Sequence, residues 1–240
     1  MSGSHSARRY AEARGRILTA AARRVPLVSI GQQARALSLW DGKRVVPGDE
    51  MQLALVLDLG VLDPLGGHAR GIDRQAKADP PEPGSDDARM LAALQAARFG
   101  LYRLRGPHGE GGATAESFPD GEPVRIHDNF LGRQPPGRLF GARLAWPENE
   151  VAMTCGAVVP VDSRVLERVL LGLPPMRGPV APRLPATPDE DAAAVAELLD
   201  EPAARMHLAD LPRRPGFAAL VYRAAVDLGL LGPVPGREPA

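Results

Sequence analysis

Between Phe99 and Val161 apolar and polar residues alternate with a period of two, and on both sides the spacing changes to the three-to-four of helices. Phe99-Gly100-Leu101-Tyr102-Arg103-Leu104-Arg105 places Phe99, Leu101 and Arg103 on one face and Tyr102 and Leu104 on the other. Ala113 to Phe118 is a weaker second run, ended by the turn Pro119-Asp120-Gly121, where proline presets φ and glycine accepts a positive one. Pro123 to Asp128 sets Val124, Ile126 and Asp128 against Arg125 and His127. Pro135-Pro136-Gly137 turns the chain into Leu139 to Trp146, Pro147-Glu148-Asn149 reverses it, and Val151 to Val161 closes the set. Short strands at this spacing predict an antiparallel meander. The predicted fold class is therefore α+β: a small antiparallel five-stranded sheet or partial barrel, flanked by N- and C-terminal helices.

The flanking pattern predicts those helices. Arg8 to Arg24 carries Tyr10, Ala13, Ile17, Leu18 and Ala21 near one face and stops before Pro26, after a polar start, Met1 to Ser6, expected to be disordered. Ile30 to Leu37 follows, then Glu50 to Leu59, capped by Asp49, stopped by Gly60 and apolar nearly all round, with Asp58 at its end as a local cap or a solvated group. Further helices are predicted over Ile72 to Lys77, from Ser85 to Arg98, from Arg164 to Leu171, over Asp189 to Asp200 with Ala192, Val195, Ala196 and Leu199 inward, and from Pro215 onward. The domain reading is an N-terminal helical region at 1–79, a helix with the sheet and its closing helix at 85–172, a proline-rich linker at 173–188, and C-terminal helices at 189–240.

Composition narrows the classes. Lys plus Arg and Asp plus Glu are equal at 29 each, so net charge offers no general argument for nucleic acid or an anionic membrane. Aromatics are only 4%, so the core must rest on Leu, Val and Ala. All but two of the basic residues are Arg, and with the abundant Ala, Gly and Pro this suggests a GC-rich bacterial source. No run approaches the roughly 18 apolar residues of a membrane span, and no apolar signal core opens the chain. The single Cys155 excludes an intrachain disulfide, and the localisation expected is cytoplasmic.

Candidate chemistry sits in three places. The loop Gly106-Pro107-His108-Gly109-Glu110-Gly111-Gly112 could bind a ligand: His108 and Glu110 as a mobile acid/base pair, Gly111 and Gly112 as backbone donors to an anion. A plain hairpin loop is the alternative. Arg8, Arg9, Arg16, Arg23 and Arg24 could contact nucleic acid, against the alternative of a solvated helix face. His127 and Asp128, successive on a strand, would face opposite ways, and Thr154-Cys155-Gly156 lacks a nucleophile's context, so no catalytic residue is assigned. An OB-like barrel would expose aromatics on a basic face, whereas strand parity groups Phe140 and Trp146 with Ala142 and Leu144, a core pattern. The five histidines are scattered; no metal and no cofactor is predicted.

Ala97-Arg98-Phe99-Gly100-Leu101-Tyr102, then Asp120-Gly121-Glu122-Pro123-Val124, Asp128, and Pro136-Gly137-Arg138-Leu139-Phe140-Gly141-Ala142-Arg143-Leu144 together make residues 86–161 similar to small β-domain segments of bacterial proteins. Some of those carry a Cys/His metal-binding tail for protein contacts, which is missing here, so that partner function does not transfer; the resemblance implies no catalytic residue. The functional expectation is a non-enzymatic interaction or scaffold module with a protein partner. Ligand binding or catalysis at the 106–112 loop, and nucleic-acid binding through the first helix, are the alternatives.

Overall fold

The computed structural model describes residues 3–63, 67–109, 111–172 and 187–231. Nine helices and six strands are present among them: α1 (Gly3–Ala22), α2 (Leu27–Ala36), α3 (Glu50–Leu62), α4 (Gly71–Ala78), α5 (Asp86–Ala96), β1 (Arg98–Pro107), β2 (Ala113–Ser117), β3 (Pro123–Ile126), β4 (Leu139–Glu148), β5 (Val151–Thr154), β6 (Val159–Val161), α6 (Ser163–Leu171), α7 (Pro188–Asp200), α8 (Pro202–Asp210) and α9 (Phe217–Asp227). The α+β class and the central sheet agree with the sequence pattern. Glu110 and most of the 173–188 linker lie outside the described residues, and the end of that linker, Pro188, is the first residue of α7.

The strands run in the order β1-β2-β3-β5-β4, and β4 also pairs with β1, so the five close into a barrel; β6 adds to the outside of β4. The expected meander holds only for β1, β2 and β3. β4 returns beside β1, giving the spatial order 4-1-2-3 of a Greek key. β5 then closes the gap, antiparallel to β4 but parallel to β3 through Ile126 and Ala152. The last predicted run is two strands rather than one, because the chain breaks at Gly156, whose φ of 111° suits a glycine.

Strand parity explains the layering. Tyr102, Leu104, Ala113, Ala115, Ile126, Phe140, Ala142 and Leu144 fill the barrel, and Leu131 plugs it from the connection between β3 and β4. Phe99, Leu101 and Leu139 point outward and meet α9, where Phe99 stacks edge-on against Phe217 at 5.7 Å and Tyr222 at 5.2 Å between ring centres. Such pairs contribute about 0.5–1.5 kcal/mol each beyond area burial. A third layer packs Tyr10, Ala13, Ile17 and Ala21 of α1 with Met90, Leu91 and Leu94 of α5 over Ala145, Met153 and Cys155.

Four local expectations change. α1 starts at Gly3, inside the stretch expected to be disordered, because burial of Ala7 and Tyr10 docks its first turns on the barrel. α3 runs through Gly60 to Leu62; burying Leu59, Val61 and Leu62 outweighs the roughly 1 kcal/mol that glycine costs a helix. Its start is less buried than an all-round apolar helix suggests, since Met51 and Leu53 are exposed. On α7 only Val195 is buried, while Ala192 and Ala196 face solvent.

Candidate ligand cleft

A cleft of about 500 Å³ opens where α1 passes the end of the barrel, lined by α1, the β1–β2 loop, the residues after β3, and Met153 of β5. On α1 the lining residues Ala7, Ala11 and Arg14 recur at helical spacing, so one stripe faces the barrel: two small residues leave the room and an arginine closes it. Arg8 stands at the rim, 3.4 Å from Glu12 in an exposed pair.

The opposite wall is His127-Asp128-Asn129-Phe130. β3 ends at Ile126, so the strict alternation expected for His127 and Asp128 does not apply, and both line the cleft. Asp128 organises the wall. Its Oδ1 accepts from the amides of Phe130 at 2.8 Å and Leu131 at 3.1 Å, while Oδ2 accepts from the Thr154 hydroxyl. The first pair is an Asx turn starting the short 3-10 turn Leu131–Arg133. Arg14 Nη1 donates to the Thr154 carbonyl, linking α1 to the same point. A guanidinium has five N–H donors, and Nε and Nη2 of Arg14 make no hydrogen bond to any described residue.

The glycine loop meets this wall. Gly112 has φ of 113°, and a Cβ there would lie 2.2 Å from the Ile126 carbonyl, so glycine lets the loop backbone close onto the end of β3. Gly111 lines the cleft, and the His108 ring is 6.5 Å from that of His127. The Gly111 amide donates to the His108 carbonyl at 3.1 Å and the His108 amide to the Gly112 carbonyl at 2.9 Å. The loop therefore spends these backbone groups on its own turn rather than on an anion.

The other arginines of α1 disperse around the helix. Arg9 and Arg16 hold Asp86 and Asp87 at the start of α5, at 3.3 and 2.7 Å, and Arg24 Nε donates to Gln75 on α4 at 2.6 Å. Arg23 is exposed. Of the five arginines proposed from sequence only Arg8 reaches the cleft, joined by Arg14. No protein-family model, curated protein or solved structure matches this chain.

The most perturbed ionisable groups lie elsewhere, between the barrel, α3 and α9. Asp58 is buried and not at a solvated helix end, because α3 continues past it and α9 covers it. Tyr222 Oη donates to its Oδ2 at 2.6 Å, and Arg143 Nη2 donates to Asp63 Oδ2 at 3.1 Å. Burial raises the Asp58 pKa, against the opposing charge of Arg143 and the Tyr222 hydroxyl. The amide of Ala157 is close enough to favour the anion, yet Oδ1 has no hydrogen bond of good geometry. Cys155 is buried beside this cluster, its thiol pushed up to about 12 by burial. It does not share the cleft with His127. The signal for Asp58 was a lone carboxylate in an otherwise apolar run; its partners are far away in sequence.

Among the described residues no group of three or more His, Cys, Asp and Glu side chains could hold a metal ion, and no helix is long and apolar enough to cross a membrane.

Proposed function

We propose that this protein is a non-enzymatic binding module that holds an anionic ligand in the cleft between α1 and the barrel end. One observation carries the reading. The glycine loop and the basic first helix, far apart in sequence, meet at one concavity whose lining includes Arg14, a guanidinium with donors that no described residue takes up. Its volume lies within the roughly 300–1,000 Å³ typical of small-molecule sites. Binding rather than turnover is supported by the use of Asp128, whose two oxygens hold the loop and Thr154 in place, and by the raised pKa and burial of Cys155.

The test is calorimetric titration with inorganic tripolyphosphate at low ionic strength. The wild type binds, more weakly as salt rises. Ala11→Leu fills the cleft without changing charge and loses binding while keeping the wild-type circular dichroism spectrum. Absence of binding, or binding untouched by Ala11→Leu, overturns the proposal.

A protein partner remains a second reading, favoured by the exposure of Leu27 and Val28 on α2 and of Met51 and Leu53 on the adjacent α3. Leu27→Glu with Met51→Glu would abolish capture of such a partner; capture unchanged by the pair contradicts it.

A further inference from the structure

We infer that the cleft receives a nucleotide unit, its phosphate on the arginine side and its base against Phe130. The inference rests on the cleft being a binding site for an anion and adds the chemical class of what fills it.

Phe130 is 62% exposed although its backbone is held on both sides. Asp128 fixes its amide, its carbonyl accepts from the Arg133 amide at 3.1 Å, and the next residue, Leu131, is buried as the barrel plug. The ring is thus displayed from a fixed backbone and takes no part in the apolar clusters of the fold. A flat apolar face in a polar cleft is suited to a flat ligand, because stacking covers both faces at little conformational cost. Asn129, beside it, offers an amide with both donor and acceptor, which suits the edge of a base. Across the gap Arg14 and Arg8 supply charge-assisted donors for a phosphate, and the imidazole of His127 lines the same space. Ala7, Ala11 and Met153 add apolar atoms to the lining. A simple inorganic anion would leave Phe130 uncovered. An aliphatic acid would leave Asn129 facing hydrocarbon.

The same unit can come as a free nucleotide or within a single strand, and the experiment separates these. The full chain is titrated with the common ribonucleoside 5′-monophosphates, with ribose 5-phosphate, and with a short thymidine oligonucleotide, for the wild type, Phe130→Ala and Phe130→Tyr. The exposed ring makes both variants compatible with folding. At least one monophosphate should bind the wild type about 5- to 150-fold more tightly than ribose 5-phosphate, the range expected for one stacked base. Phe130→Ala should abolish that advantage and Phe130→Tyr retain it. Tighter binding of the oligonucleotide than of any monophosphate assigns a strand; equal or weaker binding assigns the free nucleotide. Equal binding of ribose 5-phosphate and every monophosphate, or an advantage that survives Phe130→Ala, overturns the inference and leaves the anion cleft standing. No binding of any phosphate ligand overturns both.

Discussion

Tyr222→Phe removes one hydroxyl from a place where nothing can replace it. That hydroxyl donates at 2.6 Å to Asp58 Oδ2, and the second oxygen of Asp58 already lacks a well-aligned donor. A hydrogen bond to a charged group contributes about 1.5–3 kcal/mol, and burial without water puts this one towards the upper end, about 2–3 kcal/mol. At roughly 2–4 °C per kcal/mol for a chain of this size, the melting temperature should fall by about 4–12 °C. The pH dependence supplies a sharper check. The folded pKa of Asp58 is raised, so the folded state holds the proton more tightly than the unfolded state. Its contribution to stability is therefore fully present below the ordinary carboxylate pKa and is lost as pH rises through the folded value. Tyr222 favours the anion, so its removal raises that folded value further, and the penalty should grow as pH rises through that value and never shrink between pH 5 and pH 8. Urea unfolding of both proteins at the two pH values measures this. A penalty below about 0.5 kcal/mol, or one that shrinks from pH 5 to pH 8, would refute the assignment of Asp58 as a buried acid held by Tyr222.

Two further outcomes follow from the same region. Arg143→Met leaves Asp58 and Asp63 without their buried cation and should cost about 3–5 kcal/mol, whereas Arg105→Met, at the exposed pair with Glu116, should leave the unfolding midpoint almost unchanged. Cys155, buried and with its thiol at about 12, should react with maleimide at neutral pH only after denaturant is added; prompt labelling of the native protein would contradict its placement.

The strands were legible because each pattern is local. Phe99 and Leu101 against Tyr102 and Leu104 can be read from parity alone, and the structure places the first pair under α9 and the second inside the barrel. The helix cap Asp49 was equally readable, since a capping side chain bonds an amide three residues on, and Ser85 and Asp162 cap α5 and α6 in the same way. Closure of the barrel was not, because the β1–β4 and β3–β5 pairings join segments whose register no local turn specifies. Parity also misled at Trp146: the β4–β5 pairing slips between Ala145 and Glu148, and the ring is 44% exposed instead of joining Phe140 in the core. The cleft was visible only as fragments. His108 and Gly111 were singled out on one segment and Arg8 on another, while Arg14, Asn129 and Phe130 acquire meaning only once α1 lies against the end of β3.

The most direct measurement of the central claim is a backbone amide chemical-shift map of the full chain during titration with tripolyphosphate. Saturable shifts should concentrate at residues 7–14, 111–112, 127–131 and 153–154, where the described cleft and its supporting bonds lie. Shifts centred on α2 and α3, or none that saturate, would contradict it.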